Sequence, residues 1–69
     1  MELIRTGKYD RGVVLARKAL QVAEQNAGPD HPDVAGSLEN LADLYRATER
    51  TEEAEKLERR AERIRAMER

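Results

Sequence analysis

Apolar and polar positions follow helical spacing in three stretches of the chain. Between about Lys8 and Ala27, the residues Tyr9, Val13, Ala16, Ala19, Leu20, Ala23 and Ala27 recur mostly at steps of three and four, which stacks them on one face of an α-helix. A second apolar line, Leu15 and Val22 with Val14 beside it, lies elsewhere on the same cylinder. A helix apolar over so wide an arc is expected to have neighbours on more than one side. Between about His31 and Ala47, Val34, Leu38, Leu41 and Tyr45 form a stripe widened by Ala35, Ala42 and Leu44. Between about Thr51 and Met67 the stripe is narrow, namely Ala54, Leu57, Ala61 and Ile64, and nearly everything else is charged. The expected fold class is all-α, an antiparallel array of about three helices.

The punctuation between these stretches is uneven. Gly28-Pro29-Asp30-His31-Pro32-Asp33 combines a residue able to end a helix in the left-handed conformation with a proline that prevents continuation. Asp30 is the expected N-cap of the next helix and Pro32 falls in its first turn. Asp33 adds negative charge at the positive end of the helix dipole. Thr48-Glu49-Arg50-Thr51 has neither Gly nor Pro, so a helix start at Thr51 and a continuous helix through Glu49 both remain open. Near the beginning, Thr6-Gly7 reads as a helix stop, with Leu3 and Ile4 the apolar pair before it.

Composition supports helices and removes several chemistries. Ten of the 27 hydrophobic residues in this 69-residue chain are Ala, which leaves only seventeen large apolar groups for a core. Cysteine is absent, so disulfides, thiol chemistry and cysteine-ligated zinc are excluded. That absence is compatible with a cytoplasmic setting, the slightly favoured one, without requiring it. No apolar run is long enough to span a bilayer. Thirteen basic and fourteen acidic residues leave a net charge of −1, which gives no field to attract nucleic acid or an anionic membrane. The charges are interleaved, as on a solvated helical surface, and Glu52–Lys56 and Glu55–Arg59 sit four apart in the favourable order. Arginine outnumbers lysine ten to three, a bias with no functional explanation at this level.

An offset of 42 residues aligns the first and third helices. Thr6, Leu15, Arg17 and Ala19 meet Thr48, Leu57, Arg59 and Ala61, while Gly12 meets Ala54, Lys18 meets Arg60 and Val22 meets Ile64. The mismatches are directional: Val13, Val14, Ala16 and Leu20 stand opposite Glu55, Lys56, Glu58 and Glu62. The first helix is therefore expected inside a stack, and the third at its end with a polar outer face.

Leu38, Leu41, Ala42, Tyr45, Ala54 and Ala61 resemble the tetratricopeptide repeat in residue type and spacing. The 42-residue period, the Gly28–Ala35 linker and Asn40-Leu41-Ala42-Asp43-Leu44-Tyr45 resemble the kinesin-light-chain-like variant. The resemblance implies a partial repeat over residues 1–27, mainly its second helix, and one complete repeat over 28–69. The chain is on this reading the C-terminal part of a longer repeat protein. Some positions depart from the family: Glu49 replaces the inter-helix Gly that Gly7 supplies in the first repeat, Gly12 replaces the usual Ala, and Ala16 and Glu58 replace an aromatic.

The resemblance also implies that the first helix of each repeat lines a groove for peptide segments. Asn40 would then bond a peptide backbone, since an amide both donates and accepts, with Glu39, Asp43, Arg46 and Ala47 beside it. The expected function is a non-enzymatic interaction module for a protein or peptide partner, with no cofactor and no metal. The alternative is a self-association module, a homodimer formed face to face or by helix exchange, in which Val14, Leu15 and Val22 are the covered residues. Other candidates have plainer explanations. His31 between Asp30 and Asp33 reads as a helix-start residue before it reads as a metal ligand. Glu52 and Glu53 read as a solvated helix start before an acid–base pair. Arg59, Arg60 and Arg63 share their helix with acidic residues, which argues against a phosphate-binding patch. Tyr9 and Tyr45 are expected between helices.

Overall fold

A computed structural model describes the backbone of residues 2–68 and the side chains of residues 9–68. The chain forms three helices, α1 (Glu2–Ala27), α2 (Pro32–Ala47) and α3 (Thr51–Met67). α2 packs antiparallel against α1 on one flank and α3 on the other. The Cα atoms span 44 × 22 × 12 Å, so the helices form a single layer.

Two buried clusters lie along α2. Toward the α2–α3 corner, Val13, Leu41, Ala42, Tyr45 and Ala54 pack together. Toward the α1–α2 corner the members are Val34, Ala35, Leu38, Ala61 and Ile64. Leu20 of α1 and Leu57 of α3 touch both clusters and join them. The stripes read from sequence in the second and third helices are therefore the core. In the first helix, Val13 is buried and Leu20 half-buried, but Ala19 is exposed and Tyr9 sits at the rim. Tyr9 is thus not enclosed between helices as expected, whereas Tyr45 is. Gly12 has a packing reason: a Cβ there would meet Leu44 Cδ2 at 3.2 Å, so the hydrogen lets α1 and α2 approach.

The first break forms as its residues dictate, with one correction. Gly28 takes φ +95°, and its N–H donates to the Glu24 carbonyl at 3.0 Å, closing α1. The N-cap of α2 is His31, not Asp30: its Nδ1 accepts from the Asp33 N–H at 3.1 Å. Pro32, at the first helical position, sets the register one residue later than the capping preference of Asp suggests.

The second break settles the open alternative. α2 and α3 are separate helices, joined through Thr48, Glu49 and Arg50. Glu49 stands at φ +65°, a left-handed conformation rare outside Gly and Asn. Its N–H donates to the Arg46 carbonyl at 3.1 Å and that of Arg50 to the Tyr45 carbonyl at 2.7 Å, the two bonds of a Schellman ending. The Arg50 guanidinium lies over the Tyr45 ring, 5.6 Å from its centroid, and caps the turn. At the other end, the stop expected at Thr6-Gly7 is absent, because α1 runs unbroken from Glu2. Gly within a helix costs about 1 kcal/mol relative to Ala, which weakens a helix without ending it. The apolar pair Leu3 and Ile4 lies outside the described side chains.

Glu49→Gly should relieve the left-handed strain and stabilise the fold by about 1 kcal/mol, net of glycine's extra chain entropy. In a domain of this size that raises the melting temperature by about 4–8 °C. Glu49→Val should lower it, and thermal unfolding followed by circular dichroism reads both. An unchanged melting temperature in Glu49→Gly would show that the turn is not strained.

Candidate functional site

The outward face of α2 is built by default. Val34, Leu38, Leu41 and Tyr45 turn inward, so helical geometry leaves Gly36, Asn40, Asp43 and Ala47 on the opposite side. Asn40 and Asp43 are exposed, and among the described residues neither side chain has a hydrogen-bonding partner.

Glu39 and Arg46, grouped with them from sequence, are placed differently. Both lie on the α2 edge that meets α3, and both are engaged. Arg46 donates from Nε to Glu58 Oε2 at 2.8 Å and from Nη2 to Oε1 at 2.6 Å. Arg65 donates from Nε to Glu39 Oε2 and from Nη2 to Oε1, each at 2.8 Å. The sequence-predicted set of four therefore divides into two free residues and two tied to the neighbouring helix. The hydrogen bonds from Arg65 hold the Glu39 carboxyl below the usual glutamate range, against the opposing effect of desolvation. Those from Arg46 do the same for Glu58. The guanidinium partners are raised in turn.

A third pair crosses the layer. Arg60 Nη2 of α3 donates to Glu24 Oε2 of α1 at 2.6 Å and to the Pro29 carbonyl at 3.2 Å. Arg60 is thus committed to the fold, not to a phosphate. The pairs expected within α3, Glu52–Lys56 and Glu55–Arg59, are not closed among the described ion pairs. Sequence reasoning missed the cross-helix pairs because residues 12 to 36 positions apart meet only once helix crossing is set. The signal that was present is the excess of arginine, whose planar fork suits two-point pairing with a carboxylate.

The residues proposed for self-association lie on α1. Leu15 is 67% exposed, Val14 53% and Val22 53%. Leu15 and Val22 share a line with exposed Ala19, and Val14 stands apart from it on the helix. Among the described residues no group of three potential metal ligands converges, and no helix is long and apolar enough to cross a membrane. A shallow depression at the α2–α3 corner is lined by Glu49, Arg50, Thr51, Glu52 and Glu53, all solvated and without a nucleophile–base arrangement.

A family model described as "Tetratricopeptide repeat" matches residues 3–67. No curated protein and no solved structure matches the chain.

The two lowered carboxyls link stability to pH. Their contribution is present above the unfolded glutamate value of about 4.3 and is lost as pH falls through the lower folded values. Between roughly pH 7 and pH 3, the melting temperature should therefore fall more steeply for the unmodified chain than for Glu39→Gln/Glu58→Gln. Equal slopes would mean that these exposed pairs contribute nothing, as some surface pairs do.

Proposed function

The chain belongs to the tetratricopeptide repeat family, and from that membership we propose that it is a non-enzymatic module presenting the outward face of α2 to a protein or peptide partner. Members of the family generally mediate protein–protein interaction and are typically non-catalytic. On this reading residues 28–69 form one complete repeat, and residues 1–27 supply mainly the second helix of another.

The observation that carries the reading is the contrast on α2. Asn40 and Asp43 are exposed and without partners among the described residues, whereas Glu39 and Arg46 are held by α3. Asn40 is the contact for a peptide backbone, donating to a carbonyl and accepting from an N–H without regard to side chains. Asp43 adds a charge one turn on, and Glu39 and Arg46 bound the surface as fixed charges. One groove helix is a small footprint, so affinity is expected to be modest.

A second reading, self-association through Val14, Leu15 and Val22, is favoured by their exposure, since Leu15 and Val22 share one line of the helix and exposed apolar surface on a small chain marks an interaction site.

Asn40→Ala should weaken partner binding by about ten-fold, on the order of 1–1.5 kcal/mol for one lost hydrogen-bonding group, with the melting temperature unchanged. Titration calorimetry on the isolated partner segment measures it, and unaltered affinity sinks the role assigned to Asn40. For the second reading, sedimentation equilibrium over a wide concentration range should show a dimer that Leu15→Ser dissociates. A monomer at every concentration removes that reading.

A further inference from the structure

Proline apart, glycine is the least favourable residue in a helix interior, so a glycine there calls for a use. Two of the described glycines have one in the fold. At Gly12 a Cβ would meet Leu44 Cδ2 at 3.2 Å, and Gly28 closes α1 at φ +95°. Gly36, inside α2, has neither reason. Its φ is not positive, and a Cβ built on it would meet nothing within 4 Å. Alanine would fit this position without displacing any described atom and would hold the helix better.

The place of Gly36 suggests a use outside the fold. It stands one turn before Asn40 on the outward line of α2 that continues through Asp43 and Ala47. No side chain on this line is longer than Asn or Asp. An Asn amide has a short reach, so it bonds main-chain groups only of a segment lying close against the helix. A side chain at position 36 would hold such a segment away, and its absence lets a main chain approach. The line is also not a stacking surface. α2 sits on Val13, Ala16 and Leu20 of α1, and the 42-residue offset carries those positions to Glu55, Glu58 and Glu62 of α3. Neither set includes the line through Gly36.

We infer that Gly36 is a specificity-determining residue of the α2 face, and that this face takes an extended peptide segment whose main chain crosses α2 over Gly36, within reach of Asn40. The inference rests on the reading of the α2 face proposed above and adds to it the conformation of the partner. A helical partner does not suit the site, because the N–H and C=O groups along a helix are already bonded to one another and its side chains would meet α2 first. An extended segment presents free main-chain donors and acceptors, which Asn40 can bond in both senses.

The test uses random linear peptides displayed on phage and selected on the unmodified chain. Those that Asn40→Ala weakens are synthesised and titrated into Gly36→Ala and Gly36→Leu, followed by fluorescence anisotropy, and each variant is also unfolded thermally. Gly36→Ala should raise the melting temperature by about 4–8 °C while weakening the peptides about ten-fold, and Gly36→Leu should weaken them about a hundred-fold. The opposite signs separate a binding role from a structural one. A peptide that binds Gly36→Ala as tightly as the unmodified chain overturns the inference and leaves the role of Asn40 standing. A lower melting temperature in Gly36→Ala also overturns it, because the glycine then serves the fold. So does a circular dichroism difference spectrum showing the bound peptides to be helical. Selection that yields no Asn40-dependent peptide removes both this inference and the reading on which it rests.

Discussion

Val34, Leu38 and Ala42 are fully screened from solvent because α2 is covered on both flanks. The remaining structure depends on that two-sided burial. Seventeen large apolar residues in sixty-nine are too few for a thick core, and a chain of this size buries only about 60% of its unfolded surface. The helices compensate by approaching closely. Ala35, Ala42, Ala54 and Ala61 are all buried where α2 meets its neighbours, and small side chains permit the shorter end of the usual interaxial range. α1 and α3 each have one helix against them and one side in water. Their unequal apolar content follows from what stands on that outer side: solvated charge on α3, and bare Leu15 and Val22 on α1.

Charge on this surface is partly structural. Arg46–Glu58 and Glu39–Arg65 run as parallel struts between α2 and α3, and Arg60–Glu24 ties α3 to α1 past the end of α2. The two α2–α3 struts are exposed and count for little individually, and Arg60–Glu24 is part-buried. Together they fix the register of the antiparallel pair, because a slip of α3 along α2 would separate both two-point contacts at once. Unpaired charge on this surface is therefore scarcer than composition suggests. Of Glu39, Asn40, Asp43 and Arg46 on α2, Asn40 and Asp43 are the two without an intramolecular partner among the described residues.

Much of the fold was legible in the sequence. The stripes of the second and third helices name the buried residues, because a helix flanked by solvent must sort its side chains by face. Gly28-Pro29 names the first break, since few residues other than Gly favour φ +95°. The N-cap was misplaced by one residue because Asp is the stronger capping type and local preference cannot see where Pro32 sets the first turn. At the candidate site, Asn40 is named by the family resemblance and its side chain is exposed, but nothing in the sequence shows the commitment of Glu39 and Arg46. Their partners lie on another helix, and no spacing within α2 encodes them. The arginine excess carried that information only as a bias.

Thr6-Gly7 and Thr48-Glu49 occupy equivalent positions 42 residues apart, yet glycine continues a helix and glutamate turns a corner. Local preference alone favours the reverse at both. The left-handed conformation of Glu49 costs about 1–2 kcal/mol. Folding α3 back onto α2 buries Ile64, Ala61 and Ala54 and part of Leu57, and full burial of one large aliphatic side chain is worth about 1.5–3 kcal/mol. The corner therefore forms despite its residue. At Thr6-Gly7 the helix continues through the glycine. Turn chemistry decides a break only where tertiary burial is nearly balanced.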